Sequence, residues 1–106
     1  MADTNLTMVR GDTLAFGLEF DGLNQDLDSC FFSCKESYSA NDYVFNKSLA
    51  DGISKVSDGK YRVRVAPEDT IGVEAGVYFY DLQIGVNDDI FTIMKGSITI
   101  EPNVTI

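Results

Sequence analysis

Residues 74–86 read EAGVYFYDLQIGV and form the longest uninterrupted strand pattern in the chain. Apolar or aromatic side chains recur there at every second position, at Tyr78, Tyr80, Leu82, Ile84 and Val86. A period of two is typical of a β-strand that buries one face, and β-branched and aromatic residues suit such a surface. The pattern therefore predicts the central strand of a β-sheet over residues 77–86.

Shorter strand patterns lie on both sides of this stretch, with turn signals between them. The predicted strands cover 6–10, 14–20, 30–35, 43–45, 53–56, 60–65, 90–95 and 97–101. Asp58-Gly59 predicts a tight hairpin turn with positive φ at both residues, and Pro67 begins a one-turn crossing segment. Residues 37–49 are the ambiguous part, since their spacing also fits a helical turn. Seven or eight short strands at this spacing predict an all-β antiparallel sandwich.

The composition fits one soluble globular domain over residues 1–106. Hydrophobic residues make up 44% of the chain, and the formal net charge is -9. A surface this acidic repels phosphate backbones, which argues against nucleic acids and anionic membranes as partners. No apolar run approaches the ~20 residues of a membrane helix. The start, MADTNLTMVR, lacks the apolar core of a signal peptide, so we expect synthesis in the cytoplasm.

The sequence contains no recognisable set of catalytic or metal-binding residues. There is no His, and the two thiols, Cys30 and Cys34, would lie about 13 Å apart on one face of a strand. That distance exceeds the roughly 7 Å that a disulfide allows, so two buried thiols are expected. The loop carboxylates lack the spacing of a known calcium motif; they belong to Asp26, Asp28, Asp42, Asp88 and Asp89. We predict a non-enzymatic protein without metal or cofactor.

Five residues are candidates for contact with another protein. Lys60, Arg62 and Arg64 alternate with apolar residues and would place three of the eight basic residues on one outward strand face. Such a face is either a contact surface or a solvated surface that pairs with neighbouring carboxylates. Phe31 and Phe79 fall on the outward faces of their own strands, where a large apolar side chain indicates an interface.

Residues 74–80 also carry a fold signature. Glu74, Gly76 and Tyr78 match an acid-x-Gly-x-Tyr pattern, in which the Tyr hydroxyl caps the backbone of the preceding turn of immunoglobulin-like domains. Tyr80 stands where antibody domains place a Cys. The chain therefore resembles an immunoglobulin-like sandwich that lacks the inter-sheet disulfide.

Three longer stretches together resemble small immunoglobulin-like proteins of phage and prophage virions, including the N-terminal module of baseplate upper proteins. They are Arg10–Thr13 with the strand after it, Pro67–Thr70 leading to residues 76–83, and Phe91–Gly96 leading to residues 97–105. The resemblance is weakest over residues 22–51.

The resemblance implies a virion component of the head, neck, tail or baseplate, or a decoration protein, that assembles with other virion proteins and performs no catalysis. It leaves open whether copies of this chain also bind one another. It implies that Gly76, Tyr78, Tyr80 and Asp81 determine the fold. The alternative is a carbohydrate-binding or host-attachment module, for which Tyr38 and Tyr43 are the loop candidates.

Overall fold

The alternating pattern of the sequence becomes eight β-strands and a single-turn helix in a computed structural model, which describes residues 4–23 and 25–104. The elements are β1 (Leu6–Val9), β2 (Leu14–Glu19), β3 (Ser29–Lys35), β4 (Phe45–Leu49), β5 (Gly52–Ser57), β6 (Lys60–Val65), α1 (Pro67–Thr70), β7 (Gly76–Val86) and β8 (Asp89–Glu101). The prediction of cytoplasmic synthesis used residues 1–10, which include 1–3. The stretch that resembles phage proteins extends to residue 105. Positions 1–3 and 105 lie outside the described residues.

The strands form one mixed sheet in the order β1-β8-β7-β3-β4-β5-β6-β2, which nearly closes into a barrel. The all-β prediction is confirmed. Uniform antiparallel pairing is wrong at two places, because β1 runs parallel to β8 and β4 runs parallel to β5. The second of these pairings is short and joins Ser48 to Gly52 and Leu49 to Ile53.

β7 is the strand that the sequence predicted most clearly. It lies between β8 and β3 and is paired with β8 from Gly76 to Val86. The alternating residues point as predicted: Tyr80, Leu82 and Ile84 are buried. Its partner β8 is one continuous strand rather than two. A β-bulge opposite Leu82 and Gln83 absorbs the irregularity of its pattern.

The hairpin turn with positive φ at both central residues lies at a different place from the predicted one. At Asp58-Gly59 only Gly59 has positive φ, because a bulge between Lys55 and Ser57 changes the approach of β5. The turn in which both central residues have positive φ is Asn87-Asp88, with φ of 53° and 68°. Asn and Asp tolerate this left-handed conformation better than most other residues.

β4 was predicted at residues 43–45 but begins at Phe45 and ends at Leu49. Its residues after Phe45 are polar and show no clean alternation. They form a strand because they pair with β3, from Cys34 opposite Phe45 to Phe31 opposite Ser48. Tertiary pairing here overrides a weak local pattern.

The core is centred on the fully buried ring of Phe32 in β3. It contacts the rings of Phe16, Phe45 and Tyr80, with centroids 5.4, 5.6 and 5.5 Å away. These partners come from β2, β4 and β7, so a single residue of β3 joins distant parts of the sheet. The edge-to-face contacts with Phe16 and Tyr80 add to the free energy of folding that apolar burial contributes.

The two thiols lie on the same inner face of β3 and are buried as free cysteines. Burial raises the pKa of Cys30 to about 11 and that of Cys34 to about 12. Since the thiolate is the reactive form, both thiols should be inert in the folded protein.

We expect a thiol reagent such as DTNB at pH 8 to modify both cysteines only as the protein unfolds. The rate should not change when the reagent concentration is doubled, and it should rise with denaturant. Modification at the rate of a free small thiol in native buffer would contradict the burial of Cys30 and Cys34.

Tyrosine hydroxyls form hydrogen bonds with backbone groups of the loops that connect the strands. Tyr78 donates a hydrogen bond to the Glu74 carbonyl at 2.5 Å, which is the backbone cap that the sequence pattern predicted. The buried backbone N–H of Leu27 donates to the Tyr61 hydroxyl at 2.9 Å. An unmade bond at such a buried group would cost more than one at the surface.

Replacing Tyr78 by Phe should lower the free energy of unfolding by about 0.5–1 kcal/mol, because it removes the bond to Glu74 at a position reachable by water. Tyr43→Phe is the matched control, since its hydroxyl has no hydrogen bond within the described residues. Urea denaturation measures both. Equal stability of the two variants would show that the cap contributes nothing.

Candidate functional site

The candidate contact residues lie on two separate outward surfaces. Phe31 of β3 and Phe79 of β7 line one depression of about 360 Å³, together with Tyr38 and Tyr43 from the β3–β4 loop. We call this depression the aromatic groove. The antiparallel pairing of β3 with β7 and the loop that follows β3 bring these four rings together.

The rings of the aromatic groove already make contacts of their own. Tyr38 lies over Phe79 with centroids 4.9 Å apart and an interplanar angle of 30°. The Lys35 ammonium lies 5.2 Å from the centre of the Tyr43 ring, within the range of a cation–π contact. Phe31 remains 41% exposed. The groove therefore presents a mainly aromatic surface to solvent.

Polar groups stand between these rings, and one of them is a carboxylate. Asp81 of β7 is half-buried beside the groove and forms no hydrogen bond or ion pair within the described residues. Desolvation raises its pKa, and the positive charge of Lys35 partly offsets this. Ser33 donates a hydrogen bond to the Asn46 side chain at 3.0 Å, which leaves the Asn46 amide nitrogen facing outward as a donor.

Lys60, Arg62 and Arg64 form the second surface, on the outward face of β6. Across the strand pairing they stand next to Glu19, Gly17 and Ala15 of β2, respectively. A depression of about 470 Å³ on this face is lined by Lys60 and Arg62, by Glu19 and by the exposed Val56. We call this depression the basic groove. Arg64 continues the same strand face beyond the depression.

The three cations of this strand face have no charged partner within hydrogen-bond reach. Within residues 4–23 and 25–104, Lys60, Arg62 and Arg64 form no ion pair and no side-chain hydrogen bond. Other cations of the chain do find carboxylates, as Lys47 does with Asp69 at 2.8 Å. Glu19 nevertheless stands opposite Lys60 across the strand pairing, so the contact role of this face stays a prediction.

The four residues expected to determine the fold have different surroundings. Tyr78 and Tyr80 donate hydrogen bonds to backbone carbonyls, and Tyr80 reaches Thr4 at 2.6 Å. Gly76 is exposed, and a Cβ placed on it would meet nothing within 4 Å, so packing does not require glycine there. Asp81 faces outward beside the aromatic groove. Its role in the fold remains a prediction.

The carboxylates once considered for calcium have other contacts. Asp26 pairs with Lys55 at 2.5 Å, and Asp28 accepts a hydrogen bond from the backbone of Asn87 at 2.9 Å. The described part of the chain holds no group of three or more Cys, Asp or Glu placed to bind a metal ion. It also holds no helix long and apolar enough to cross a membrane.

The sequence analysis missed several residues of both grooves. Lys35 and Gln83 of the aromatic groove were not singled out, because their position beside Phe79 and Phe31 depends on the register of β3 against β7. Gly17 and Val56 of the basic groove were missed because their positions beside the cations depend on the pairing of β2 and β5 with β6. An interior glycine in a strand pattern is a signal that could have pointed to Gly17.

Comparison with models of known protein families finds no match for this chain, and no curated protein matches it. The resemblance to phage proteins therefore depends on the sequence stretches named above.

Asp81→Asn should raise the melting temperature at pH 7 by about 1–3 °C. Because burial raises the folded-state pKa of Asp81, the protonated acid stabilises the fold at low pH, and this stabilisation is lost as the pH rises through the folded-state pKa. The amide removes the cost of the ionised form, so the gain should disappear below about pH 4. A lower melting temperature at pH 7 would support Asp81 as a fold determinant instead.

Proposed function

We propose that this chain is a non-enzymatic structural protein of a phage virion, with an immunoglobulin-like sandwich fold, that assembles with other virion proteins. It would be made in the cytoplasm of the host bacterium and reside in the virion. The proposal combines the sequence resemblance with the outward surfaces of the structure.

The aromatic groove is the observation that carries the proposal. Two residues selected from the sequence as contacts, Phe31 and Phe79, meet there with two further aromatic side chains. Clustered exposed aromatic rings are enriched at protein interfaces, where they supply large contact areas at low entropic cost. Polar side chains such as Asp81 and Gln83 stand beside these rings, so the groove can bind a partner through both apolar and polar contacts.

The strand order supports the immunoglobulin-like part of the proposal. Strands β1-β8-β7-β3-β4 and strands β5-β6-β2 would be the two layers of a sandwich, since only the short β4–β5 pairing joins them. The hydrogen bond from Tyr78 to Glu74 matches the tyrosine corner of such domains.

An open strand edge supports assembly by strand pairing. Among the described residues, β1 pairs with β8 only from Ile98 to Glu101 and leaves the edge before Lys95 without a strand partner. Ile90 and Phe91 are 62% and 51% exposed on this segment. An unpaired edge with exposed apolar side chains is a surface on which another chain can add a strand.

The proposal is tested on particles from the bacterial strain that encodes the chain. Purified virions should contain it in a fixed ratio to the other structural proteins, as measured by quantitative mass spectrometry, and immunogold should label one part of the particle. The matched control is an abundant host protein in the same preparation. Presence of the chain in the lysate but not in purified particles would contradict a structural role.

The second candidate function, binding of carbohydrate, is favoured by one observation. Both tyrosines proposed for it, Tyr38 and Tyr43, stand in the aromatic groove beside outward donors and acceptors such as Asp81 and Gln83. A glycan array distinguishes the two functions. Specific hits that disappear with Tyr43→Ala would favour carbohydrate binding, whereas a blank array would remove it.

A further inference from the structure

We propose that the basic groove on β2 and β6 receives an acidic, extended segment of another virion protein. This inference rests on the proposed function for the source of the partner. The binding chemistry is argued from the groove itself.

Gly17 is the first part of the argument, because nothing inside the protein requires a glycine there. It lies in the interior of β2, its φ is outside the left-handed region, and a Cβ added to it would approach nothing closer than the Tyr61 carbonyl at 3.8 Å. Glycine in a strand interior weakens the strand and often marks close approach of another backbone. Gly17 and Ala15 have little or no side chain, so the backbone of β2 forms the floor of the basic groove.

The three unpaired cations are the second part. Lys60 and Arg62 line the basic groove, and Arg64 continues the row along β6 just beyond it. Across the pairing, Arg62 is opposite Gly17 and Arg64 is opposite Ala15, whereas Lys60 is opposite the carboxylate of Glu19. Each is exposed and has no ion pair within the described residues. The formal net charge of the chain is -9, so the rest of the molecule carries -12 once these three positive charges are set aside. A concentration of unpaired positive charge on so acidic a protein indicates an anionic partner at this position.

The spacing of the cations defines the shape of that partner. Alternate residues of a strand are about 6.6 Å apart on one face, so the three charges span roughly 13 Å in a line. An extended peptide with carboxylates at every second position has the same repeat and can place its backbone above Gly17. Val56 at the side of the groove offers an exposed apolar contact for a β-branched residue between the acids.

A strand of nucleic acid also carries regularly spaced negative charge, but the whole protein opposes it. A longer polyanion would extend beyond the basic groove across a surface that is strongly negative. A short acidic segment of a protein confines its charge to the groove. We therefore commit to the peptide and treat the oligonucleotide as a test outcome.

The test is an NMR titration of the isotope-labelled full chain with two synthetic heptapeptides. One carries glutamate at positions 2, 4 and 6 between threonine and valine, and the other carries glutamine at those positions. We expect the acidic peptide to shift the amide signals of residues 15–19 and 60–64 and the glutamine peptide to bind about tenfold more weakly. Raising the salt concentration should weaken binding of the acidic peptide, because salt screens the attraction between its carboxylates and the cations.

Two variants with matched controls separate binding from folding. Gly17→Val should keep or raise the melting temperature, since valine favours strands, and should abolish the peptide shifts by raising the floor. Gly76→Val is its control, because that glycine also has open space and lies in another strand. Arg62→Glu should abolish binding, whereas Lys95→Glu makes the same change of net charge on β8 and should leave it intact.

Each remaining outcome counts against the inference. Equal binding of the two peptides, shifts outside the basic groove, or binding of a twenty-residue oligothymidylate in preference to the acidic peptide would overturn it. Unchanged binding by Gly17→Val would overturn the role of the groove floor. If the chain is found in virions but does not bind the acidic peptide, the inference fails and the proposed function stands. If the chain binds the peptide but is absent from virions, the proposed function fails and the groove's preference for an acidic peptide stands.

Discussion

The burial of Phe32 is the constraint on which the rest of the structure depends. Its ring contacts aromatic rings from β2, β4 and β7, so the nearly closed sheet is organised around one side chain. Aromatic burial contributes strongly to the stability of a small domain, which has little apolar area to spare. The two cysteines beside it on β3 fill the remaining space as small apolar groups.

Because the core takes the inner face of the sheet, the outer face is where contacts with other molecules can form. Each strand near the core alternates, so every buried residue fixes an outward neighbour: burial of Phe32 and Cys34 places Phe31 and Lys35 outside. In the same way, burial of Tyr61 and Val63 orders Lys60, Arg62 and Arg64 along one line. The two grooves thus follow from the packing of the core. The basic groove lies on strands, whereas the aromatic groove also takes Tyr38 and Tyr43 from the β3–β4 loop.

The sequence predicted what depends on local periodicity and missed what depends on pairing. β6 and β7 were predicted with the correct faces, because a period of two is visible in the residues themselves. β4 was misplaced since its polar residues become a strand only by pairing with β3. The parallel pairing of β1 with β8 could not be seen because it joins segments distant in sequence. The pairing of β4 with β5 could not be seen because it covers only two residue pairs. The period of two places the candidate contact residues on outward strand faces, but strand register alone shows that Phe31 lies opposite Gln83 and Gly17 opposite Arg62.

Carbodiimide cross-linking of intact particles tests the proposal that the outward faces of this sheet contact other proteins of a virion. The reagent joins a lysine to a carboxylate that it touches, and Lys60 is the one lysine of the basic groove. The account predicts that mass spectrometry finds Lys60 linked to an acidic segment of another virion protein, while Lys95 of the same chain remains available to an amine-labelling reagent. Equal labelling of Lys60 and Lys95 in intact particles, with no cross-link at Lys60, would contradict it.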